Sequence, residues 1–439
     1  MTDANAPARS QPDRSNQGQK LKGDLKVVLY ASLLVLVFDL AQGYIVTVPF
    51  AFLLKNGLKL GPSQMSLFGI FGDCPMWVGF AFGFLRDRWR PFGRGDSAYF
   101  IASGVLLAIT YLVQGFGPLT YGSILVASIF NTAFGAMAGA AARGVTAAVA
   151  KQHGLTGTLA VIFIVSSRLS LIIGNAVGGA LGQSTSRGVP FLLAAAVALL
   201  LSLFGVWKPR FIYPGGEEPY EAVFVETNRE AWRRLLRHKA VYVPAVMVLL
   251  WSFAPGWGTP LLFYLTNQIK LSEAQFGSTM GVLSLGALVA ALLYPVLCRV
   301  VNVRPLLIVG TILGVLGGPI FLFIHTPSQA GIIAFVAGFS CGIATCTYWD
   351  VLFRTCPKEL EGIVAMLFAG AYAFGTDVSD LVGSWLYERG GFGLALAATA
   401  VSTGAILLFV PLIPKVITKP MEGTPIVDDD VPESVPVPA

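Results

Sequence analysis

Residues 188–207 read GVPFLLAAAVALLLSLFGVW, a run of twenty residues with no charged side chain. A helix of that length extends about 30 Å at 1.5 Å per residue, which matches the hydrocarbon core of a bilayer. A segment in lipid must satisfy its own backbone hydrogen bonds, and an α-helix does so within the segment. The run therefore predicts a transmembrane helix.

Eleven similar apolar runs occupy most of the remaining chain. Hydrophobic residues make up 55% of the 439 residues and charged residues only 12%, whereas soluble domains carry about 25% charged residues. The predicted spans cover residues 27–53, 63–85, 98–116, 120–142, 156–181, 188–207, 241–266, 275–298, 305–325, 329–355, 361–387 and 392–414. We expect an all-α membrane protein with twelve transmembrane helices.

The positions of lysine and arginine predict the orientation of the spans. With the N-terminus inside, 24 of the 30 basic residues fall in cytoplasmic segments, five fall in external loops, and Arg168 alone lies inside a span. This bias predicts an integral protein of the cell inner membrane with both termini in the cytoplasm. Residues 1–24 contain no apolar segment of a signal peptide, so the first span is the expected insertion signal.

The longest predicted loop divides the chain into two segments of six spans. Residues 26–207 and 241–414 have similar lengths, as the halves of a duplicated transporter do. In the linker 208–240, Thr227 and Glu230 form a capping box before the sequence WRRLLR, which predicts a short amphipathic helix on the membrane face; a solvated linker helix is the alternative. Residues 1–25 and 415–439 are predicted to be disordered. We expect two pseudo-symmetric six-helix bundles.

Composition and motifs argue against several classes of function. The net charge of +6 is spread over many short loops, so a nucleic-acid partner is not expected. The five cysteines and three histidines show no metal-ligand spacing, and no phosphate-binding loop or nucleophile–base set occurs. We expect no enzymatic activity, no metal, no cofactor and no direct use of ATP, and we expect a monomer in the lipid bilayer.

The loop after the second span reads GFLRDRWRPFGR from Gly83 to Arg94. Gly83 permits close helix packing, and Asp87 can pair with basic groups or with a neighbouring helix N-terminus. Together with Arg88, these residues resemble the signature cytoplasmic motif of the major facilitator superfamily of secondary transporters. The resemblance implies that Gly83, Asp87 and Arg88 form a conformational latch. An ordinary positively charged loop is the alternative.

Ionisable residues inside the spans are the main candidates for function, because a charge in the membrane usually faces a cavity or a partner. Asp39, Asp73 and Arg168 lie near the middle of spans 1, 2 and 5. If Arg168 pairs with one acid, the other carboxylate has no partner, and desolvation makes such a carboxylate take up a proton more readily. These residues predict a proton-coupled substrate site; a structural charge triad is the alternative.

Further candidates lie in span 11 and in the other spans. Asp377 and Asp380 share one face of span 11, and Asp377 is preferred because Asp380 lies closer to the outer interface. The other candidates for substrate binding are polar or aromatic, namely Gln42, Tyr44, Asn131, Trp251 and Trp257. The tryptophans could stack on a planar ligand, with helix or lipid packing as the alternative.

Span 7 contains the sequence PGWGTP, which must interrupt the helix. The residues responsible are Pro255, Gly256, Gly258 and Pro260. Interrupted helices release backbone groups for substrate and bend during alternating access, in which a transporter opens to one side at a time. We therefore expect this segment to act as a hinge beside the substrate site.

Three stretches resemble the folate–biopterin transporter family of the major facilitator superfamily. They are Ala41-Gln42-Gly43 leading into Leu60-Gly61-Pro62-Ser63, the segment from Trp251 to Asn267, and the segment from Thr355 to Gly362. The resemblance implies a symporter that couples protons to the movement of a small molecule, a pteridine-like or other organic anion.

The sequence departs from this family in span 2, where Pro75-Met76-Trp77 replaces a basic residue, and in the following loop. Light-harvesting-complex assembly proteins share the same architecture. A non-transporting membrane assembly or chaperone factor is therefore the second hypothesis. A polar cavity lined by Arg168 and the acids favours transport, whereas an apolar groove that faces lipid favours the assembly factor.

Overall fold

The structure is a computed structural model that describes residues 14–89, 95–209, 211–213, 242–354 and 361–413. The amphipathic linker helix and the C-terminal tail that the sequence predicts lie outside these residues. So do residues 1–13, whereas a helix begins at Arg14, inside the segment predicted to be disordered. The described residues are almost entirely helical and contain no strand.

Eight helices make up the N-terminal half. They are α1 (Arg14–Asp39), α2 (Thr47–Phe52), α3 (Pro62–Trp77), α4 (Gly79–Arg88), α5 (Asp96–Phe116), α6 (Tyr121–His153), α7 (Thr156–Ser184) and α8 (Gly188–Val206). Short π-helices, Leu40–Tyr44 and Leu53–Gly57, precede and follow α2.

Six helices make up the C-terminal half. They are α9 (Tyr242–Ser252), α10 (Thr259–Phe263), α11 (Glu273–Val300), α12 (Val303–Gly317), α13 (Pro327–Arg354) and α14 (Glu361–Ala405). A π-helix, Tyr264–Gln268, follows α10. Helix α14 bends sharply at Gly391, where φ is 73°, so it supplies both of the last two predicted spans.

Nine helical segments within the described residues are long and apolar enough to cross a membrane, judged by length and composition. The first and seventh predicted spans are not among them, because each is built from several short pieces. In the first, the chain turns at Gly43, where φ is 128°. In the seventh, residues 253–258 are not helical and Gly258 has a φ of 71°. Glycine adopts these backbone conformations without the steric cost that a Cβ atom brings.

The two interrupted spans end in related sequences, as the halves of a duplicated chain would. Residues 52–64 read FLLKNGLKLGPSQ and residues 263–275 read FYLTNQIKLSEAQ, with six of the thirteen positions identical. Their backbones agree as well. Lys59 and Lys270 both have a positive φ, 54° and 61°. Gln64 and Gln275 each accept a hydrogen bond from the backbone N–H three residues earlier, at 3.1 and 3.0 Å.

The two halves pack together through α3 against α14 and through α7 against α11. Glycines allow the second contact, since a Cβ atom on Gly277 would lie 2.9 Å from the Cα atom of Gly179. Most of the hydrogen bonds found between the halves lie toward the end that carries Lys59 and Lys270, whereas the one from Trp77 to Asp377 lies deeper between the halves. This end is called the closed end below.

Candidate functional site

A cavity between the two halves is the candidate site. It has two adjoining lobes. The N-lobe, of about 600 Å³, is lined mainly by α3, α6, α7 and the first interrupted span. The C-lobe, of about 570 Å³, is lined mainly by α11, α13, α14 and the second interrupted span. Both volumes are typical of small-molecule sites. The residues that line both lobes are Thr47, Phe50, Asp73, Ser128, Thr376 and Asp377.

The nine residues predicted for substrate binding or coupling all line this cavity. The N-lobe contains Asp39, Gln42, Tyr44 and Asn131, the C-lobe contains Arg168, Trp251 and Trp257, and Asp73 and Asp377 line both. The structure therefore brings together residues from six predicted spans and from both halves.

Arg168 faces the cavity rather than lipid, but its predicted ion pairs are absent. Among the described residues, no ion pair of 4 Å or less joins Arg168 to Asp39 or to Asp73. Its charge acts instead on the hydroxyls of Tyr44 and Tyr372. In this state the guanidinium is accessible to a ligand in the C-lobe.

Each of the two N-terminal acids has a hydroxyl partner. Asp39 is 3% exposed and accepts a hydrogen bond from Ser167 Oγ at 2.5 Å. Asp73 accepts one from Thr132 Oγ1 at 3.2 Å, and its side chain is otherwise open to the cavity. Asp39 is therefore a buried residue of the wall, whereas Asp73 presents its carboxylate to the space between the halves.

Arg143 is a further cation of the N-lobe. The predicted spans place this residue in a cytoplasmic loop. The expected span ended at residue 142, but helix α6 continues to His153. A small, apolar sequence, GVTAAVA, follows Arg143. That continuation is the signal that would have moved the boundary, and it shows that Arg168 is not the only basic residue inside a helix that crosses the protein.

Asp377 joins the two halves at the centre of the cavity. Trp77 Nε1, from α3, donates a hydrogen bond to Asp377 Oδ2 at 2.7 Å. Asp73, also on α3, lies close enough for the two carboxylates to interact. The cavity thus holds a pair of acids, one from each half.

Asp380 caps the second interrupted span, a role that its position in span 11 does not predict. Its Oδ1 atom accepts from the Thr259 backbone N–H, and its Oδ2 atom from the Thr259 hydroxyl, both at 2.7 Å. Ser66 of the N-terminal half donates to the same Oδ2 atom at 2.6 Å. One carboxylate therefore holds the start of α10 and links it to the other half.

Other side chains satisfy the remaining backbone groups that the interruption releases. Thr399 Oγ1 accepts from the Gly256 N–H at 2.6 Å, and Ser402 Oγ donates to the Phe253 carbonyl at 2.6 Å. Both lie on α14, beyond the bend at Gly391. Unpaired backbone groups are costly at membrane depth, so these contacts explain how the interruption is tolerated.

The two predicted tryptophans are packed at one edge and open to the cavity at the other. The Trp251 ring contacts Tyr348 at a centroid distance of 5.2 Å, and Trp257 meets Phe321 edge-on at 5.5 Å. Both still line the C-lobe. Packing fixes their orientation, which is what a stacking surface for a flat ligand requires.

The predicted latch is only partly within the described residues, since the side chain of Asp87 lies outside them. Gly83 is buried, and Arg88 is exposed with its guanidinium 4.2 Å from the Phe84 ring centre. A buried bidentate ion pair, which the sequence pattern does not predict, lies beside them. Arg86 donates to Asp96 through Nε at 2.5 Å and through Nη2 at 2.7 Å.

The closed end is held by polar contacts between the equivalent segments of the duplication. Lys55 donates to Asn267 Oδ1 at 2.7 Å and also to Thr266 Oγ1. Glu388 accepts from the backbone N–H and the hydroxyl of Ser63 at 2.9 and 2.6 Å. Burial lowers the pKa of the Lys55 amino group, so these polar partners replace part of its hydration.

Helices, interruptions and cavity together define the class of protein, which is an integral membrane protein built of helices around a central cavity. Two solved structures of nucleoside transporter NupG, one of them a point mutant, match with a TM-score of 0.67. Each match covers 88% of this chain and 98% of the other chain at 12% sequence identity, which shows the fold alone.

The chain belongs to the BT1 family, whose sequence profile matches residues 41–424. That range covers all the residues of the cavity except Asp39. A comparison with curated protein sequences finds no match.

Proposed function

We propose that the protein is a proton-coupled symporter of the inner membrane that carries an organic anion with a flat, pteridine-like body. The observation that supports this most is the gathering of the nine predicted residues around one cavity between the halves. The cavity contains guanidinium groups for the anion, tryptophans for the flat body, and carboxylates for the proton. A twelve-span topology with both termini inside is part of the proposal.

Alternating access follows from the distribution of contacts. The hydrogen bonds between the halves are concentrated at the closed end, and the positive-inside rule places that end outside the cell. The described state is then closed to the outside, with the cavity available from the cytoplasm. Rocking of the halves about the cavity would break the contacts of Lys55 and Glu388 and expose the same residues to the other side.

Coupling is proposed to depend on exchange at Arg168. A guanidinium in the membrane needs an anionic partner in each state. The substrate anion serves as that partner when it is bound, and Asp73 or Asp377 serves in a state of the cycle other than the described one, in which neither pairs with Arg168. When the anion displaces the carboxylate, the free carboxylate takes up a proton, so the anion and the proton cross together without ATP.

Uptake into vesicles with an imposed pH gradient tests this function. We expect a pteridine carboxylate to accumulate in vesicles that contain the wild type, Arg168→Lys to lose most of the uptake, and Arg168→Ala to lose nearly all of it. A planar fork binds a carboxylate through two hydrogen bonds, which lysine cannot do. Asp73→Asn should abolish the dependence on the pH gradient. Uptake by Arg168→Ala at the wild-type rate would refute the assignment.

A membrane assembly factor that moves no solute is the second candidate. Its expected feature is an apolar groove, and one of about 520 Å³ lies between α5 and α6, lined by residues such as Ile109, Val126 and Phe130. The polar central cavity has no purpose in such a protein, which is why transport is preferred. Absence of uptake, together with co-purification of a membrane protein that dissociates when Val126 is replaced by aspartate, would favour this candidate.

A further inference from the structure

The side chain of Arg143 is exposed although the chain on either side of it is buried. Residues 138–142 and 144–146 are all buried, whereas Arg143 is open to the N-lobe. Its guanidinium lies over Gly139, one turn earlier, where a Cβ atom would be 3.0 Å from Nη2. Glycine at this position gives the planar group the room to lie along the helix and face the cavity.

No described residue forms a hydrogen bond or an ion pair with the Arg143 side chain. The nearest acid is Asp39, whose charge acts on Arg143, but the two groups are more than 4 Å apart and Asp39 is bonded to Ser167. By contrast Arg86 of α4, whose guanidinium packs against Gly144 of α6, is paired with Asp96. Arg143 is therefore an interior cation that lines the cavity.

An interior guanidinium without a protein partner is costly, and an anionic ligand removes that cost. The groups around the N-lobe suit one anionic group rather than an extended charged surface. Gln42 and Tyr44 supply further donors, and the acids that line the lobe, Asp39, Asp73 and Asp377, balance the charge when the site is empty. A carboxylate and a phosphate both match the guanidinium fork.

We propose that Arg143 is the principal anion-binding residue of the cavity and holds a carboxylate or phosphate in the N-lobe, while Arg168 contacts the same anionic group from the C-lobe. This inference rests on the proposed function, since it concerns the same cavity. It assigns the two ends of the substrate. The anionic group lies against α6, and the flat body lies between the acid pair and the tryptophans of the C-terminal half.

Binding to the purified protein in detergent tests the inference without transport. The probes are benzoate, phenyl phosphate and benzamide, which share a ring but differ in charge, and tryptophan fluorescence reports binding. We expect at least one of the two anions to bind the wild type more tightly than benzamide. The anion that binds better identifies the headgroup. Equal binding of benzamide and both anions, or no anion binding, would overturn the proposal.

Variants then locate the anion. Arg143→Gln should weaken anion binding more than tenfold and leave benzamide binding unchanged, and Arg168→Gln should have a smaller effect. Arg88→Gln is the matched control, because Arg88 is an arginine outside the cavity. Arg143→Lys keeps the charge, so it should fold even if the glutamine variant does not. It should bind anions several times more weakly than the wild type. Wild-type anion affinity in either Arg143 variant refutes the proposal.

Uptake separates this inference from the proposed function. If the wild type binds the anion through Arg143 but transports nothing, the inference stands and the transporter assignment fails. If uptake depends on Arg168 but the KM of Arg143→Gln equals that of the wild type, the assignment stands and the inference fails.

Discussion

Replacement of Gly258 by alanine tests the cap of the second interrupted span. Gly258 has φ 71° and ψ −126°, a conformation that L-residues with a Cβ atom avoid. A Cβ atom built there would overlap Asp380 Oδ1, the atom that accepts the Thr259 N–H. Alanine must therefore strain the backbone and also move the carboxylate from its three hydrogen-bond donors.

The two effects have separate sizes. Backbone strain of this kind costs about 1–3 kcal/mol. Loss of a hydrogen bond to a charged group costs roughly 1.5–3 kcal/mol. Gly391 isolates the first effect, since its φ is 73° and no atom lies within 4 Å of the Cβ position. The excess cost of Gly258→Ala over Gly391→Ala should therefore be roughly 1.5–3 kcal/mol, the value of the displaced cap.

Thermal unfolding in detergent and initial uptake rates measure this excess. We expect Gly258→Ala to unfold at a lower temperature than Gly391→Ala. Each 1.36 kcal/mol corresponds to about a tenfold change in rate, so turnover should fall about ten- to a hundredfold if the cap forms in only one state of the cycle. Substrate affinity should change little, because Gly258 shapes the hinge rather than the ligand contacts.

A third variant separates cap loss from simple overcrowding. Asp380→Asn keeps the volume but removes the charge, so it should slow turnover in the same direction without the strain. Equal unfolding temperatures and equal turnover for the Gly258 and Gly391 variants would refute the argument. Wild-type behaviour of Asp380→Asn would show that the carboxylate does not hold the start of α10.

Three further predictions concern topology, the latch and the closed end. A reporter enzyme fused after Ala439 should be active only in the cytoplasm; activity only outside the cell would contradict the orientation. Asp87→Asn should slow transport, because it removes a conformational contact, while expression and membrane insertion stay normal. Unchanged uptake kinetics would argue against the latch. Lys55→Met should loosen the closed end, so that a cysteine at Ser66 reacts faster with an impermeant maleimide added outside. Lys59→Met is the control, and equal labelling in both variants would contradict a role for the Lys55 contacts.

Much of the candidate site could be predicted because charges in the membrane are rare. Asp39, Asp73 and Arg168 stand out in apolar runs, and each one lines the cavity. The interruption of span 7 was equally plain, since proline and glycine at such density cannot continue a helix. These inferences need only local sequence and the cost of burial.

The rest depends on contacts between distant segments. Asp380 bonds to residues 121 and 314 positions away along the chain, so its role as a cap is not visible in span 11 alone. Arg143 was misplaced for another reason. The positive charge of Arg143 suggests the end of the fourth span, but small apolar residues continue the helix beyond it. Arg86 and Asp96 form their pair because the end of α4 and the start of α5 lie side by side.

The duplication gives Arg168 and Asp377 a shared origin in the fold. Gly174 on α7 faces the Tyr44 carbonyl, and Gly383 on α14 faces the Pro255 carbonyl. Tyr44 and Pro255 are separated by the same 211 positions that relate residues 52–64 to 263–275.

Arg168 and Asp377 each lie six residues before the glycine of their helix, so they occupy equivalent positions on opposite sides of the cavity. A symmetric cavity would bind a ligand equally well in two orientations. Here one of the two equivalent positions carries a cation and the other a carboxylate. An anion with a polar, flat body therefore gains favourable contacts in only one of the two orientations. In the proposed transport cycle we therefore expect the charge difference between the halves to orient the substrate, while the duplicated helices supply the motion.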